Sequence, residues 1–370
     1  MIKKLLFCFF ILNFLVSFSQ NPILSDKSKV SVFTCGKGAE LYSTFGHTAI
    51  RIKDSIHNLD VVYNYGAFDF RTENFYLKFV KGDLQYFINA SSYEDFIYEY
   101  QYDNREVIEQ TLNFTLDKKQ QLFERLNASL YSEERSYTYK FIDKNCTTMV
   151  MDKINQTIGK TSIQKTDDST ISYRKVLYPY FEDHFWYKLG INIIFGGRTD
   201  QKSEQLFLPI ELLNSLDKIQ INGKPLVINK VTIIEGKNPK PPFSFINSIY
   251  FIALLLLIIV IINKRSVFLT YLFILGLLGL FLSLVGLYSL HKEVLWNYNV
   301  LLFNPIFLLL PFINKKGFKM ILIFSLIILM AYSIIMLTKP HLFLMLAFII
   351  ANCYILVNLL LKNKLLSSKE

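Results

Sequence analysis

Two short stretches hold the residue types that covalent chemistry needs. The first is Phe141-Ile142-Asp143-Lys144-Asn145-Cys146-Thr147-Thr148-Met149-Val150. Residues 137–142 alternate and predict a strand, whereas Val150, Ile154 and Ile158 recur at the helical spacing. Cys146 therefore falls where a strand gives way to a helix. The free N–H groups and the dipole of a helix N-terminus favour negative charge, so a thiol there is expected to ionise more readily than a free one. The second stretch is Tyr42-Ser43-Thr44-Phe45-Gly46-His47-Thr48-Ala49-Ile50-Arg51, in which His47 opens an alternating run and offers a base. A strand-borne histidine and a helix-opening cysteine, distant in sequence, make one candidate site. The structural alternative for His47 is a satisfied buried histidine. For Cys146 it is a disulfide to Cys35, which an oxidising compartment would favour.

The elements that must position this pair are short strands. Residues 29–34, 48–53 and 59–65 read as strands, the last two hairpinned, with Ile50 and Ile52 on one face and Ala49 and Arg51 on the face of His47. His47 is thus expected to point away from the apolar layer. A third group should orient its ring. Asp60 and Asn64 share one face of the neighbouring strand and Tyr63 and Tyr65 the other, so the choice depends on register; Asn64 comes first, with Asp60 or Tyr65 as alternatives. The Cys146 N–H is the expected oxyanion donor, with a second not identified. The aromatic stretch 66–79 is either a groove wall or core. Residues 92–108 and 116–130 carry helical patterns of structural character, and residues 160–236 suggest no chemistry.

The chain has 370 residues, four cysteines and a formal charge of +10. Lys3 and Lys4, the apolar run 5–16 and Ser17-Phe18-Ser19 predict a signal peptide over residues 1–19. Five apolar runs follow, 245–263, 267–290, 296–313, 319–337 and 341–361, each near the ~20 residues a spanning helix needs. Lys264 and Arg265, then Lys315, Lys316 and Lys319, then Lys362, Lys364 and Lys369 follow the odd-numbered runs, which puts those ends in the cytoplasm and residues 20–236 outside. Residues 237–244 are a proline-rich tether, 245–363 a five-span membrane domain and 364–370 a cytoplasmic tail. So short a tether holds the exported domain at the membrane. The positive charge is partly topological, and no basic–aromatic pattern suggests nucleic acid. His57, His184 and His341 lack carboxylate or thiol partners at ligand spacing, so no metal and no cofactor is expected. In and beside the third run, His291, Asn297 and Asn299 are candidate substrate-binding residues for a lipid headgroup or a docking partner; the alternative is polar groups satisfied at the interface.

Asn145-Cys146-Thr147-Thr148 with the upstream Phe45-Gly46-His47 resembles the permuted thiol-hydrolase fold of the NlpC/P60 peptidases and the lecithin:retinol acyltransferase group. With Ser43-Thr44-Phe45-Gly46-His47-Thr48-Ala49-Ile50-Arg51 and Tyr63-Asn64-Tyr65-Gly66-Ala67-Phe68-Asp69-Phe70 added, the chain more closely resembles the Lnb family of bacterial lipoprotein N-acyltransferases, periplasmic and membrane domains both. The resemblance implies an α+β, permuted papain-like exported domain followed by an α-helical membrane domain in the inner membrane of a diderm bacterium. It also implies acyl transfer from a membrane phospholipid through a Cys146 thioester to the N-terminal amine of a diacylglyceryl-cysteine lipoprotein, with His47 as base. A cell-wall peptidase or amidase using the same pair is the first alternative, and a non-enzymatic membrane sensor or scaffold the second.

Overall fold

The computed structural model describes residues 22–159, 162–237 and 241–367. The expected signal peptide, residues 238–240 of the tether and residues 368–370 of the tail lie outside the described residues. Among those described, the exported part is a mixed α+β domain. Its strands are β1 (Lys29–Cys35), β2 (His47–Asp54), β3 (Leu59–Ala67), β4 (Gln85–Ser92), β5 (Val107–Leu112), β6 (Ser136–Thr138), the small ribbon β7 (Gln220–Ile221) and β8 (Lys224–Pro225), and β9 (Val227–Ile234). Seven of them form one antiparallel sheet in the order β6-β4-β3-β2-β1-β5-β9. The helices are α1 (Phe75–Lys81), α2 (Tyr93–Tyr102), α3 (Leu116–Tyr131), α4 (Cys146–Ile158), α5 (Tyr173–Leu177), α6 (Phe185–Ile194) and α7 (Pro209–Lys218).

Strand alternation sends successive side chains to opposite faces, and here both faces are covered. Val30, Val32, Ile50 and Ile52 pack with Leu122, Phe123 and Leu126 of α3, Val150 and Ile154 of α4, and Leu212 and Leu216 of α7. On the other face Phe33, Cys35, Ala49 and Val62 meet Phe96, Ile97 and Tyr100 of α2. The face of His47 is therefore not polar, as its alternation suggested; a second apolar layer adjoins it. Arg51 is held on that face by Asp60 (2.7 Å) and Glu109 (3.2 Å), under the ring of Tyr93.

The strand expected over 137–142 is cut short. Beyond β6, Lys140 and Lys144 exchange backbone hydrogen bonds of 2.9 and 3.0 Å, closing a tight loop that delivers Cys146. Asn145 then caps α4, its Oδ1 accepting from the N–H groups of Thr147 (2.9 Å) and Thr148 (3.1 Å), while Thr148 Oγ1 accepts from Asn145 N–H (2.8 Å). Such a cap contributes about 1 kcal/mol. Full burial of Val150 and Ile154 contributes roughly 1.5–3 kcal/mol each. Packing thus holds α4 in place, and the cap decides where it starts.

The membrane part contains α8 (Ile249–Ile262), α9 (Arg265–Tyr288), α10 (Lys315–Met336) and α11 (Leu342–Ser367). Three helices are long and apolar enough to cross a membrane by length and composition, and α8 has only 14 residues. The third apolar run does not form the expected helix. After a turn at Lys292–Val294 in the connection before it, the run folds into 3-10 turns at Tyr298–Leu301 and Pro305–Leu309. Asn297 and Asn304 cap the last two through their side chains, Pro305 and Pro311 remove donors, and Trp296 has a φ of 54°. These turns descend along α9, with Phe303 on Gly279 and Leu308 on Gly276, and Phe318 of α10 then lies under Arg265. Irregular backbone at such depth is tolerated where protein encloses it. Leu302 and Phe303 are fully buried, and Asn352 donates to the Leu302 carbonyl at 3.2 Å.

The two parts meet along a dense polar joint. Gly196 N–H donates to Glu293 O (2.7 Å), Gly197 N–H to Trp296 O (3.1 Å) and Leu290 N–H to Lys81 O (2.6 Å). A Cβ on Gly196 would stand 2.0 Å from Leu295 O, so only glycine lets the backbones approach this closely.

Candidate active site

The register decides how His47 is placed. Ala49 pairs with Asn64, so counting back two residues sets His47 opposite Gly66. Gly66 has a φ of +99°, and the β3–β4 register shifts between Asn64 and Ala67. A Cβ on Gly66 would lie 3.5 Å from Cys146 Cβ and 3.8 Å from His47 Cε1. The missing side chain is thus the space the thiol and the imidazole share. Thr48, next to His47, touches Thr147, next to Cys146, at 3.1 Å between hydroxyls, which locks β2 to the start of α4.

Asn64 is the group that meets the ring, with Oδ1 3.3 Å from His47 Nε2. Since Oδ1 only accepts, Nε2 carries the proton and Nδ1 is left as the basic nitrogen. Of the alternatives, Asp60 is engaged with Arg51, and Tyr65 is buried on the opposite face. Cys146 Sγ keeps Thr147 Oγ1 at 3.9 Å, and among the described residues no hydrogen bond joins it to the imidazole. Such bonds commonly tighten only when substrate is bound.

The resting protonation differs from the sequence expectation. Burial pushes the Cys146 thiol above its usual value, outweighing the N–H groups of Thr48, Thr147 and Cys146 and the Thr147 hydroxyl that act against it. Burial, followed by the Arg105 guanidinium, lowers His47 to about 4, with the Asn64 bond opposing. The pair therefore rests as thiol and neutral imidazole. Cys35, opposite His47 on β1, is a free thiol pushed up to about 12 by burial, and Cys146 is free as well.

Residues 18–179 match the family model described as the Lnb N-terminal periplasmic domain. That stretch is similar to the Lnb periplasmic domain, and the rest of the chain lies outside the match. The matched stretch contains His47, Asn64, Gly66 and Cys146. No curated protein and no solved structure matches the chain. With this match and its three long apolar helices, the chain is a membrane protein with a periplasmic domain.

The other expected site residues lie elsewhere. Asn297 Nδ2 donates to Ile193 O (2.8 Å) and Ile194 O (2.9 Å), and Asn299 Nδ2 to Asn192 O (2.8 Å) and Ile193 O (2.9 Å). These two asparagines satisfy the open carbonyls at the end of α6. His291 Nε2 bonds Phe79 O at 2.9 Å, at the end of α1. The amides of Asn297 and Asn299 and the ring of His291 thus tie this segment to α6 and to the end of α1.

Sequence reasoning missed Arg198. It pairs with Asp143, in the loop that delivers Cys146, and with Glu293 of the membrane part at 2.9 Å. Arg198 holds the Asp143 carboxyl below the usual carboxylate range despite its partial burial. Arg174, almost fully buried, grips Asp200 at 2.8 Å, and Asp200 accepts from Tyr298 at 2.5 Å. The available signal was an acid three residues before the cysteine and an arginine after paired glycines; only the fold brings them together.

Proposed function

We propose that the domain is a cysteine acyltransferase that moves an acyl chain from a membrane phospholipid to the N-terminal amine of a diacylglyceryl-cysteine lipoprotein, in the inner membrane of a diderm bacterium. The observation that carries this reading is the convergence of Cys146 and His47 on Gly66, in a domain similar to the Lnb periplasmic domain and fastened to membrane helices. A helix-borne thiol facing a strand-borne imidazole with an asparagine behind it also supports a permuted papain-like ancestry, with the histidine first in the chain.

In the first half-reaction His47 Nδ1 takes the thiol proton as Sγ bonds the ester carbonyl carbon. The oxyanion that forms draws on the N–H of Cys146, at the first position of α4. Collapse breaks the carbon–oxygen ester bond, and the imidazolium returns its proton to the departing glycerol oxygen, leaving a lysophospholipid and a Cys146 thioester. In the second, the neutral amine attacks the thioester carbonyl, gives a proton to His47, and the sulfur leaves and is reprotonated. Asn64, by accepting from Nε2, leaves Nδ1 as the nitrogen that carries the transferred proton.

The same pair could serve a cell-wall peptidase, and the fastening to membrane helices favours lipid as substrate. The test is intact mass spectrometry of the full-length protein with phospholipid vesicles, wild type against Cys146→Ala. A hydroxylamine-labile acyl mass on wild type alone is expected. No adduct, together with cleavage of cell-wall peptides, would overturn the proposal in favour of the peptidase; full function of Cys146→Ala would favour the sensor.

A further inference from the structure

None of the seven residues of α1 is buried. Tyr76 and Leu77 are 75% and 71% exposed, and Phe70, just ahead of the helix, is 58% exposed. A short helix in a water-soluble domain is normally held by an apolar face turned inward. Here Phe75 packs inward, and Tyr76 and Leu77 are turned out.

The position of α1 says what meets them. Its carbonyls are bonded to the outer end of α9: Ser289 Oγ donates to Val80 O (2.9 Å), Leu290 N–H to Lys81 O (2.6 Å) and His291 Nε2 to Phe79 O (2.9 Å). Twenty-four residues make α9 about 36 Å long, more than the ~30 Å of a bilayer's hydrocarbon. Its outer end therefore lies at the boundary between hydrocarbon and headgroups, and α1 lies at the same level. Tyr288 and Trp296, 45% and 89% exposed, flank it as an interfacial aromatic belt does. Lys78 adds positive charge suited to headgroup phosphates, while Lys81 is paired with Asp83.

We propose that α1 is an interfacial element that sinks Tyr76 and Leu77 into the outer leaflet, its binding partner being the lipid surface itself. From it a file of rings runs inward: Phe75 to Phe70 (4.9 Å), Phe70 to Phe68 (5.0 Å), and Phe68 to Tyr86 (5.2 Å), which lies in the apolar cluster that also receives Cys146. If the site is an acyltransferase, this file is where a chain drawn from the leaflet lies; that clause rests on the proposed function, and the insertion of α1 does not.

The test uses the full chain in lipid nanodiscs with Cys8, Cys146 and Cys353 changed to Ser and an environment-sensitive fluorophore on Leu77→Cys. The control carries the label on Ile56→Cys, in the β2–β3 turn at the far end of the strands from Gly66. Quenching of the Leu77 label by doxyl lipids but not by aqueous iodide, with the reverse at Ile56, is expected. Equal iodide quenching at both sites would overturn the proposal. Because the label reports insertion without catalysis, a missing acyl adduct on the unmodified protein would refute the transferase reading and leave the insertion standing.

Discussion

The resting state of the Cys146–His47 pair can be read from how the thiol reacts with a small alkylating agent across pH. His47 is lowered to about 4, so at pH 7 only about 0.1% of the imidazole is protonated. It cannot then hold a thiolate as an ion pair. With the thiol above its usual value, only a few per cent at most is thiolate at neutrality, and each pH unit toward that value raises the fraction about tenfold. Iodoacetamide modification, followed by intact mass on the full-length protein in detergent, should therefore accelerate about a hundredfold between pH 6 and 8 without a plateau. His47→Ala should leave this curve nearly unchanged, since the ring does not stabilise the thiolate at rest. The same variant should slow thioester formation from phospholipid by about 10²–10⁴-fold, equivalent to roughly 3–5 kcal/mol of barrier. A rate that is flat from pH 5 to 8 and collapses in His47→Ala would refute the reasoning, because that is how a thiolate–imidazolium pair behaves.

Gly66→Ala places a methyl between the two reacting groups and forces an alanine to a φ of +99°. Strain of about 1–3 kcal/mol should lower the melting temperature modestly, while acylation measured by mass falls about a hundredfold or more. Asn299→Leu strips two buried carbonyls and the Tyr332 hydroxyl of their partner, so unfolding in detergent should show a loss of about 1–3 kcal/mol with the KM for phospholipid unchanged. Gly279→Ala would put a Cβ 1.4 Å from Phe303 O, and a thermal aggregation assay should show the membrane part failing at markedly lower temperature. Because the unfolded chain protonates His47 near its ordinary value and the folded one only near 4, stability is full above that ordinary value and declines as pH falls toward 4. Thermal melts of wild type and His47→Gln across that window should converge as the pH is lowered.

How much of this was legible in the chain depended on whether the deciding interaction was local. The N-terminus of α4 was, because Asn145, Thr148 and the spacing of Val150 and Ile154 act within a few residues of Cys146. The hairpin of β2 and β3 was, because alternation and the Asn58 turn are local as well. The orienting residue was not: Asn64 and Asp60 share a face, and only the pairing of Ala49 with Asn64 brings one to His47 and leaves the other to Arg51. The third apolar run misled for a related reason. Its composition fits a spanning helix, but Asn297 and Asn304 cap single turns and bond elsewhere in the fold, which a hydropathy average does not register. The thiol's protonation was misjudged because the helix terminus is visible in sequence and the tyrosines packed around Cys146 are not.

The joint between the two parts also bears on why a hydrolase-like pair should be tied to membrane helices at all. The loop that delivers Cys146 is held at three places by groups outside its own sheet. Asp143 is paired to Arg198, which is itself paired to Glu293, and Lys140 Nζ donates to the carbonyls of Gly82 (3.0 Å) and Leu290 (3.3 Å). Asn145, while capping α4, donates from Nδ2 to Phe207 O at 2.9 Å. Two of these anchors, Glu293 and Leu290, belong to the membrane part. A nucleophile must be held within a fraction of an ångström of its working geometry, and a misplacement of about 1 Å can cost a hundredfold in rate. Separating the domain at the tether would leave the sheet and its two apolar layers intact but would release the loop from those two anchors. The polar joint therefore serves more than attachment: it makes the position of Cys146 depend on the membrane helices, the coupling that the proposed transfer from a membrane lipid would need.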